Sequence, residues 1–82
     1  MVRVIADYAD CWAYTGGLRR FDIEAATVRQ LLQQIEARFP GLGLLIENRM
    51  AIAIDGIITQ DALGTALRPD SEVVLMPRIG GG

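Results

Sequence analysis

The chain has 82 residues, 51% of them apolar, enough for one hydrophobic core and too few for two domains. One cysteine, Cys11, and no histidine exclude an intrachain disulfide, leave zinc only carboxylates and one thiol, and remove the usual general base and the Ser/His and Cys/His nucleophile pairs of a self-contained hydrolase. Ten acidic against eight basic residues, a net charge of -2, argue against nonspecific binding to nucleic acid.

Val2, Val4 and Ala6 alternate with Arg3, Ile5 and Asp7, which predicts a first strand with one protected face. Asp10 is placed to cap a short helical turn through Cys11, Trp12, Ala13 and Tyr14, after which Thr15-Gly16-Gly17 reverses the chain. A second strand from Leu18 to Ile23 then completes an antiparallel hairpin, with Phe21 and Ile23 on one face. Thr27-Val28-Arg29-Gln30 fits a capping box, and Val28, Leu31, Leu32, Ile35 and Phe39 form the apolar stripe of an amphipathic helix that Phe39-Pro40-Gly41 stops.

Leu42 to Glu47 is too short for periodicity to separate a helical turn from other apolar structure. Met50 to Ile54 alternates large with small residues as a strand, Asp55-Gly56 is a hairpin turn into Ile57 and Ile58, and Arg68-Pro69-Asp70-Ser71 is a type I turn. Val73 to Met76 is an unbroken apolar run, expected to be a strand buried on both faces. This order predicts an α+β fold of two layers, a β-grasp, in which one main helix crosses a mixed sheet and the first and last strands pair in parallel at its centre. The domain is expected over residues 1–76 and a flexible tail over 77–82.

The sequence ends Pro77-Arg78-Ile79-Gly80-Gly81-Gly82. Pro77 has no N–H to give a ladder, and the three glycines remove every side chain from the end. Such a tail suits a carboxylate that must thread a narrow site on another protein, because glycine lets the enclosing backbone approach closely. The α-carboxylate is ionised at neutral pH and a poor electrophile until it is converted to a mixed anhydride. The chain has no Walker lysine or Rossmann glycine pattern, so another protein must supply the ATP site. A frayed, chemically silent terminus is the plainer alternative.

Tyr14-Thr15-Gly16-Gly17, Ala26-Thr27-Val28, Arg38-Phe39-Pro40-Gly41-Leu42, Ile54-Asp55-Gly56, Asp70-Ser71-Glu72-Val73 and Met76-Pro77 ahead of Gly81-Gly82 occur in the order and spacing of a known group. Over nearly its whole length the chain resembles the MoaD/ThiS family of ubiquitin-like sulfur carriers. The resemblance implies that a partner related to ubiquitin activators uses ATP to adenylate Gly82 and that a sulfur donor then makes it a thiocarboxylate. Gly81 is implied as the flexible neighbour that enters the partner's channel. It implies no cofactor bound by the chain itself, which would be a protein cosubstrate rather than an enzyme.

Length and the extended first loop look more like MoaD, the small subunit of molybdopterin synthase, with a MoaE-like synthase subunit as sulfur acceptor. Arg78 departs from the family pattern, where a small residue or proline is common. A ThiS-like carrier for thiamine or another sulfur pathway, ubiquitin-like conjugation, and a β-grasp interaction module with a silent tail are the alternatives.

The remaining candidates have plainer readings. Cys11 as a persulfide carrier lacks an evident base and is read as a buried residue. Trp12 and Tyr14 suit either a partner surface or the core. Asp10, Asp22 and Glu24 lack metal-ligand spacing. All eight basic residues are arginines, so no side-chain amine is available for an isopeptide bond. No apolar run is long enough for a membrane span, and the N-terminus has no charged segment followed by an apolar stretch, so a cytoplasmic protein without membrane or nucleic-acid partners is expected.

Overall fold

Alternating apolar residues fold into strands and the longer apolar stripe into a helix, and together they make a β-grasp. The computed structural model describes residues 1–59 and 62–78. In chain order they form β1 (Val2–Ile5), α1 (Ala9–Thr15), β2 (Arg20–Ile23), α2 (Val28–Arg38), α3 (Leu42–Arg49), β3 (Met50–Ile54), β4 (Ile57–Thr59), a 3-10 turn (Ala62–Gly64) and β5 (Glu72–Pro77). The strands make one five-stranded sheet in the order β2-β1-β5-β3-β4. β1 and β5 pair in parallel at its centre, with Val4 opposite Val73, and the other pairings are antiparallel.

Val28, Leu31, Leu32 and Ile35 of α2 are buried and meet Val2, Val4, Phe21, Ile23, Val73 and Leu75 from the sheet. Phe39, the fifth member of the predicted stripe, caps the helix instead of lying in it and packs half-buried with its ring centroid 4.9 Å from that of Phe21. The capping box forms with one difference. Thr27 Oγ1 accepts from the Gln30 N–H, but Gln30 Oε1 accepts from Ala26 N, one residue before the cap.

Three expectations are corrected, and one reading left open is resolved. Asp10 does not cap α1, because Tyr8 occupies the cap position without a side-chain bond and Asp10 lies inside the first turn, where its charge suits the helix dipole. The second strand starts at Arg20, since Leu18 belongs to the turn, its carbonyl accepting from Thr15 Oγ1. Leu42–Arg49 is a full helix whose start is capped from α2: the Glu36 carboxylate accepts from Gly41 N at 2.7 Å and Leu44 N at 3.2 Å. Gly43 makes this close crossing possible, since a Cβ there would sit 2.9 Å from the Leu32 carbonyl oxygen.

The last correction concerns β5, which is central without being buried on both faces. Val73 and Leu75 point into the core, whereas Val74 and Met76 are half-buried on the other side of the sheet. All the helices lie on the first side, so the second has no covering layer among the described residues, and apolar residues in a central strand do not require one.

Candidate functional site

The predicted chemistry lies at the end of β5, so the site is built from the strand that delivers the chain there. Glu72 at its start is fixed by Asp55. The Asp55-Gly56 pair takes positive φ at both residues, 51° and 88°, as the two-residue hairpin turn between β3 and β4 requires. This conformation leaves the Asp55 carboxylate accepting from Glu72 N at 2.9 Å, Ser71 Oγ at 3.1 Å and the Arg68 guanidinium at 3.3 Å. Asp55 N in turn donates to the Glu72 carbonyl. The backbone N–H of Glu72, with the Ser71 and Arg68 donors behind it, holds the Asp55 carboxyl below the usual carboxylate range, against a smaller opposing effect of burial.

At its far end β5 pairs through Pro77 with Met50, one residue beyond the expected stop at Met76. Arg78 follows, and its guanidinium donates to three backbone carbonyls at the α3–β3 junction: Nη1 to Asn48 at 3.4 Å, and Nη2 to Glu47 and Met50 at 3.3 Å each. The last carbonyls of a helix have no partner within it and carry the negative end of its dipole, so a cation is favoured there. Gly81 and Gly82, the residues expected to carry the chemistry, lie outside the described residues.

The uncovered face of the sheet runs toward this point. Register places Ile5, Val74, Ala53 and Ile58 side by side across β1, β5, β3 and β4, and Ala51 beside Met76 in the next apolar pair. Ile58 is 58% exposed. On the other flank Arg3 stands between Asp22 and Glu72, which gives the apolar row a charged border.

The other candidates fall elsewhere. Cys11 is fully buried, its Sγ 3.8 Å from Met50 Sδ, and burial followed by the nearby Asp10 charge pushes its thiol pKa up. It is a protonated core residue, with none of the electropositive exposure that makes a thiolate reactive. Trp12 is half-buried, donating from Nε1 to the Ala6 carbonyl with the Arg19 guanidinium stacked 4.5 Å from its ring centroid. Tyr14 is exposed and lies over Gly41. Asp10, Asp22 and Glu24 form no metal site: among the described residues no group of three or more His, Cys, Asp or Glu side chains is placed to hold a metal. No helix among them is long and apolar enough to cross a membrane.

Sequence reasoning missed the anchoring of Arg78. Its acceptors are backbone carbonyls, which carry no residue signature, and the one available signal was an arginine just after a strand-ending proline.

A model of the ThiS family matches residues 9–82. The chain belongs to the ThiS family. It is therefore a ubiquitin-like sulfur carrier, and ThiS-family carriers are non-catalytic proteins that bind no cofactor themselves. No curated protein matches the sequence.

Among the solved structures similar to this ThiS-family fold are the following three. A chain of the BexX/CysO complex of Amycolatopsis orientalis matches at TM-score 0.84 and 17% identity, covering 100% of both chains. CysO of Mycobacterium tuberculosis, an antigen, matches at TM-score 0.85 and 17% identity over 96% of this chain and 100% of its own. The small archaeal modifier protein 1 of Methanosarcina acetivorans matches at TM-score 0.80 and 20% identity over 99% and 95%. Identities this low speak for the fold, the ubiquitin-like sheet with helices on one side.

Proposed function

We propose that Gly82 carries the sulfur: an adenylating partner related to ubiquitin activators converts its carboxyl to an acyl adenylate at the expense of ATP, and a sulfur donor displaces AMP to leave a thiocarboxylate. The observation that carries this reading is the direction of β5, the central strand, which runs out of the domain at Pro77 toward Gly80-Gly81-Gly82 in a chain whose one thiol is sealed in the core. Gly81 serves as the small neighbour that lets the partner's channel close around the backbone. The expected boundary between domain and tail at 76/77 moves outward in this reading, since Pro77 still pairs with Met50 and the tail begins after it. The apolar row that reaches Met76 is the surface such a partner would grip while the tail enters its site. Activation needs ATP, which puts the carrier in the cytoplasm.

For the acceptor we propose a MoaE-like synthase subunit and molybdopterin as the product. The feature behind this choice is the long β1–β2 connection, which holds the helix α1 where a tight hairpin turn would suffice.

The test is incubation with each ubiquitin-activator-like enzyme of the source genome, ATP and sulfide, followed by thiol-selective alkylation and fragmentation. The expected product carries one added sulfur on Gly82. Deletion of Gly82 abolishes it and Cys11→Ser leaves it intact. A product that survives the deletion, or an unmodified Gly82 with every enzyme, overturns the assignment. Sulfur transfer to a precursor held by a MoaE-like subunit, and to no other acceptor, tests the pathway.

A further inference from the structure

Pro77 gives β5 its last pairing partner, and with no N–H it donates nothing to the ladder. What holds the chain beyond that point is a side chain. Arg78 reaches back to residues 28 to 31 positions earlier in sequence and fastens to three carbonyls at the end of α3. The ion pair among the described residues is Arg68–Asp55, so the Arg78 charge goes to the carbonyls and the helix dipole. The planar fork suits this task, because two nitrogens at fixed separation serve three acceptors, whereas a lysine ammonium is a single point on a flexible stem.

We infer that Arg78 is a positioning residue: by fastening the chain's exit from β5 to the end of α3, it fixes the direction in which the chain leaves the domain on its way to the adenylating partner. This rests on the carrier reading above. The anchor acts before chemistry. If only a fraction of free molecules offers the tail in the direction the partner accepts, apparent affinity falls by that fraction, while the step after docking is unchanged. Loss of Arg78 therefore raises KM for the carrier and leaves kcat alone.

Two measurements on the full chain test this. In the free protein, the 13C carbonyl shifts of Glu47, Asn48 and Met50 and the heteronuclear NOE of the Arg78 amide are compared among wild type, Arg78→Ala and Arg78→Lys. In parallel, ATP–pyrophosphate exchange is followed with the ubiquitin-activator-like enzymes of the source genome as carrier concentration is varied. Arg78→Ala is expected to shift all three carbonyls, lower the NOE and raise KM roughly three- to tenfold at constant kcat. Arg78→Lys is expected to fall between wild type and alanine in both measurements.

A raised KM with unmoved carbonyl shifts would mean that Arg78 touches the partner directly, and overturns the inference. Moved shifts with an unchanged KM would make the anchor a helix cap alone, and overturn it as well. Wild-type protein that supports exchange with none of the enzymes removes the carrier reading itself. That outcome is distinct from an active wild type matched by an equally active Arg78→Ala.

Discussion

At its entry β5 is tied by Asp55, whose carboxylate gathers a backbone N–H, the hydroxyl of the buried Ser71 and a guanidinium; at its exit the same strand is held by Arg78, an exposed side chain. The shorter bonds at the entry are 2.9 to 3.1 Å, and those at the exit are 3.3 to 3.4 Å. The entry gathers donors around one acceptor in a partly protected setting, where unmaking a bond leaves a polar group stranded. At the exit one donor group spreads over three carbonyls, two of its bonds exposed and the one to Met50 part-buried. One strand is thus fixed where it enters the core and held by weaker, adjustable contacts where it leaves for its work. The difference matches the proposed role, in which the exit must hand its chain to another protein.

The comparison presupposes a rigid strand between the two ends, and the largest expected effect comes from breaking that. Leu75 is 3% exposed and points into the core midway along β5. Leu75→Ala is expected to cost about 2–5 kcal/mol in urea titration, through lost burial and the cavity left behind. It should loosen both ends together, so amide exchange rises at Ser71 and at Arg78. Faster exchange at one end alone would show that the strand does not couple them.

Much of this architecture was legible in the sequence. Val2 and Val4 announced one face of β1, and the Val28 to Ile35 stripe announced α2, because alternation and helical spacing are written in consecutive residues. Asp55-Gly56 announced its turn through the positive φ it needs. The sequence did not reveal that the Asp55 carboxylate is also the knot for Ser71 and Glu72, since those partners lie 16 and 17 residues away. The half-buried state of Val74 was hidden for a related reason. A central apolar run reads as doubly buried, and only the placement of every helix on one side shows that it is not. The glycine tail was visible as composition, while the anchor beside it was not, because carbonyl acceptors have no residue identity.

A smaller effect separates the two ends directly. Ser71 Oγ donates to Asp55 and accepts from the Arg68 N–H at 2.9 Å, and Ser71 is 1% exposed. Ser71→Ala is expected to destabilise by about 1–3 kcal/mol, because it strands a backbone donor and takes one donor from the carboxylate. Arg78→Ala should change global stability by no more than about 0.5 kcal/mol, as exposed substitutions usually do. Equal losses for the two variants in one denaturant series would erase the distinction drawn between the ends.

The finest test uses pH, because only the entry contains a titrating acceptor. The Asp55 carboxyl is held below its ordinary value when folded, chiefly by the Glu72 N–H, and returns to about 3.9 when the chain unfolds. A group whose folded pKa is depressed contributes stability that is fully present above the unfolded value and disappears as pH falls through the folded one. Stability should therefore decline below about pH 5 and go on declining past the unfolded carboxyl's range. Asp55→Asn isolates this charge, since asparagine tolerates the φ of 51° and keeps a carbonyl oxygen for the Glu72 N–H. The variant should melt below wild type near neutral pH, and the gap should close as pH falls, while Arg78→Ala keeps a constant offset from wild type over the same range. A gap between wild type and Asp55→Asn that stays the same from neutral pH to about pH 2 would show that the geometry of the turn, and not the carboxylate charge, fastens the entry of β5.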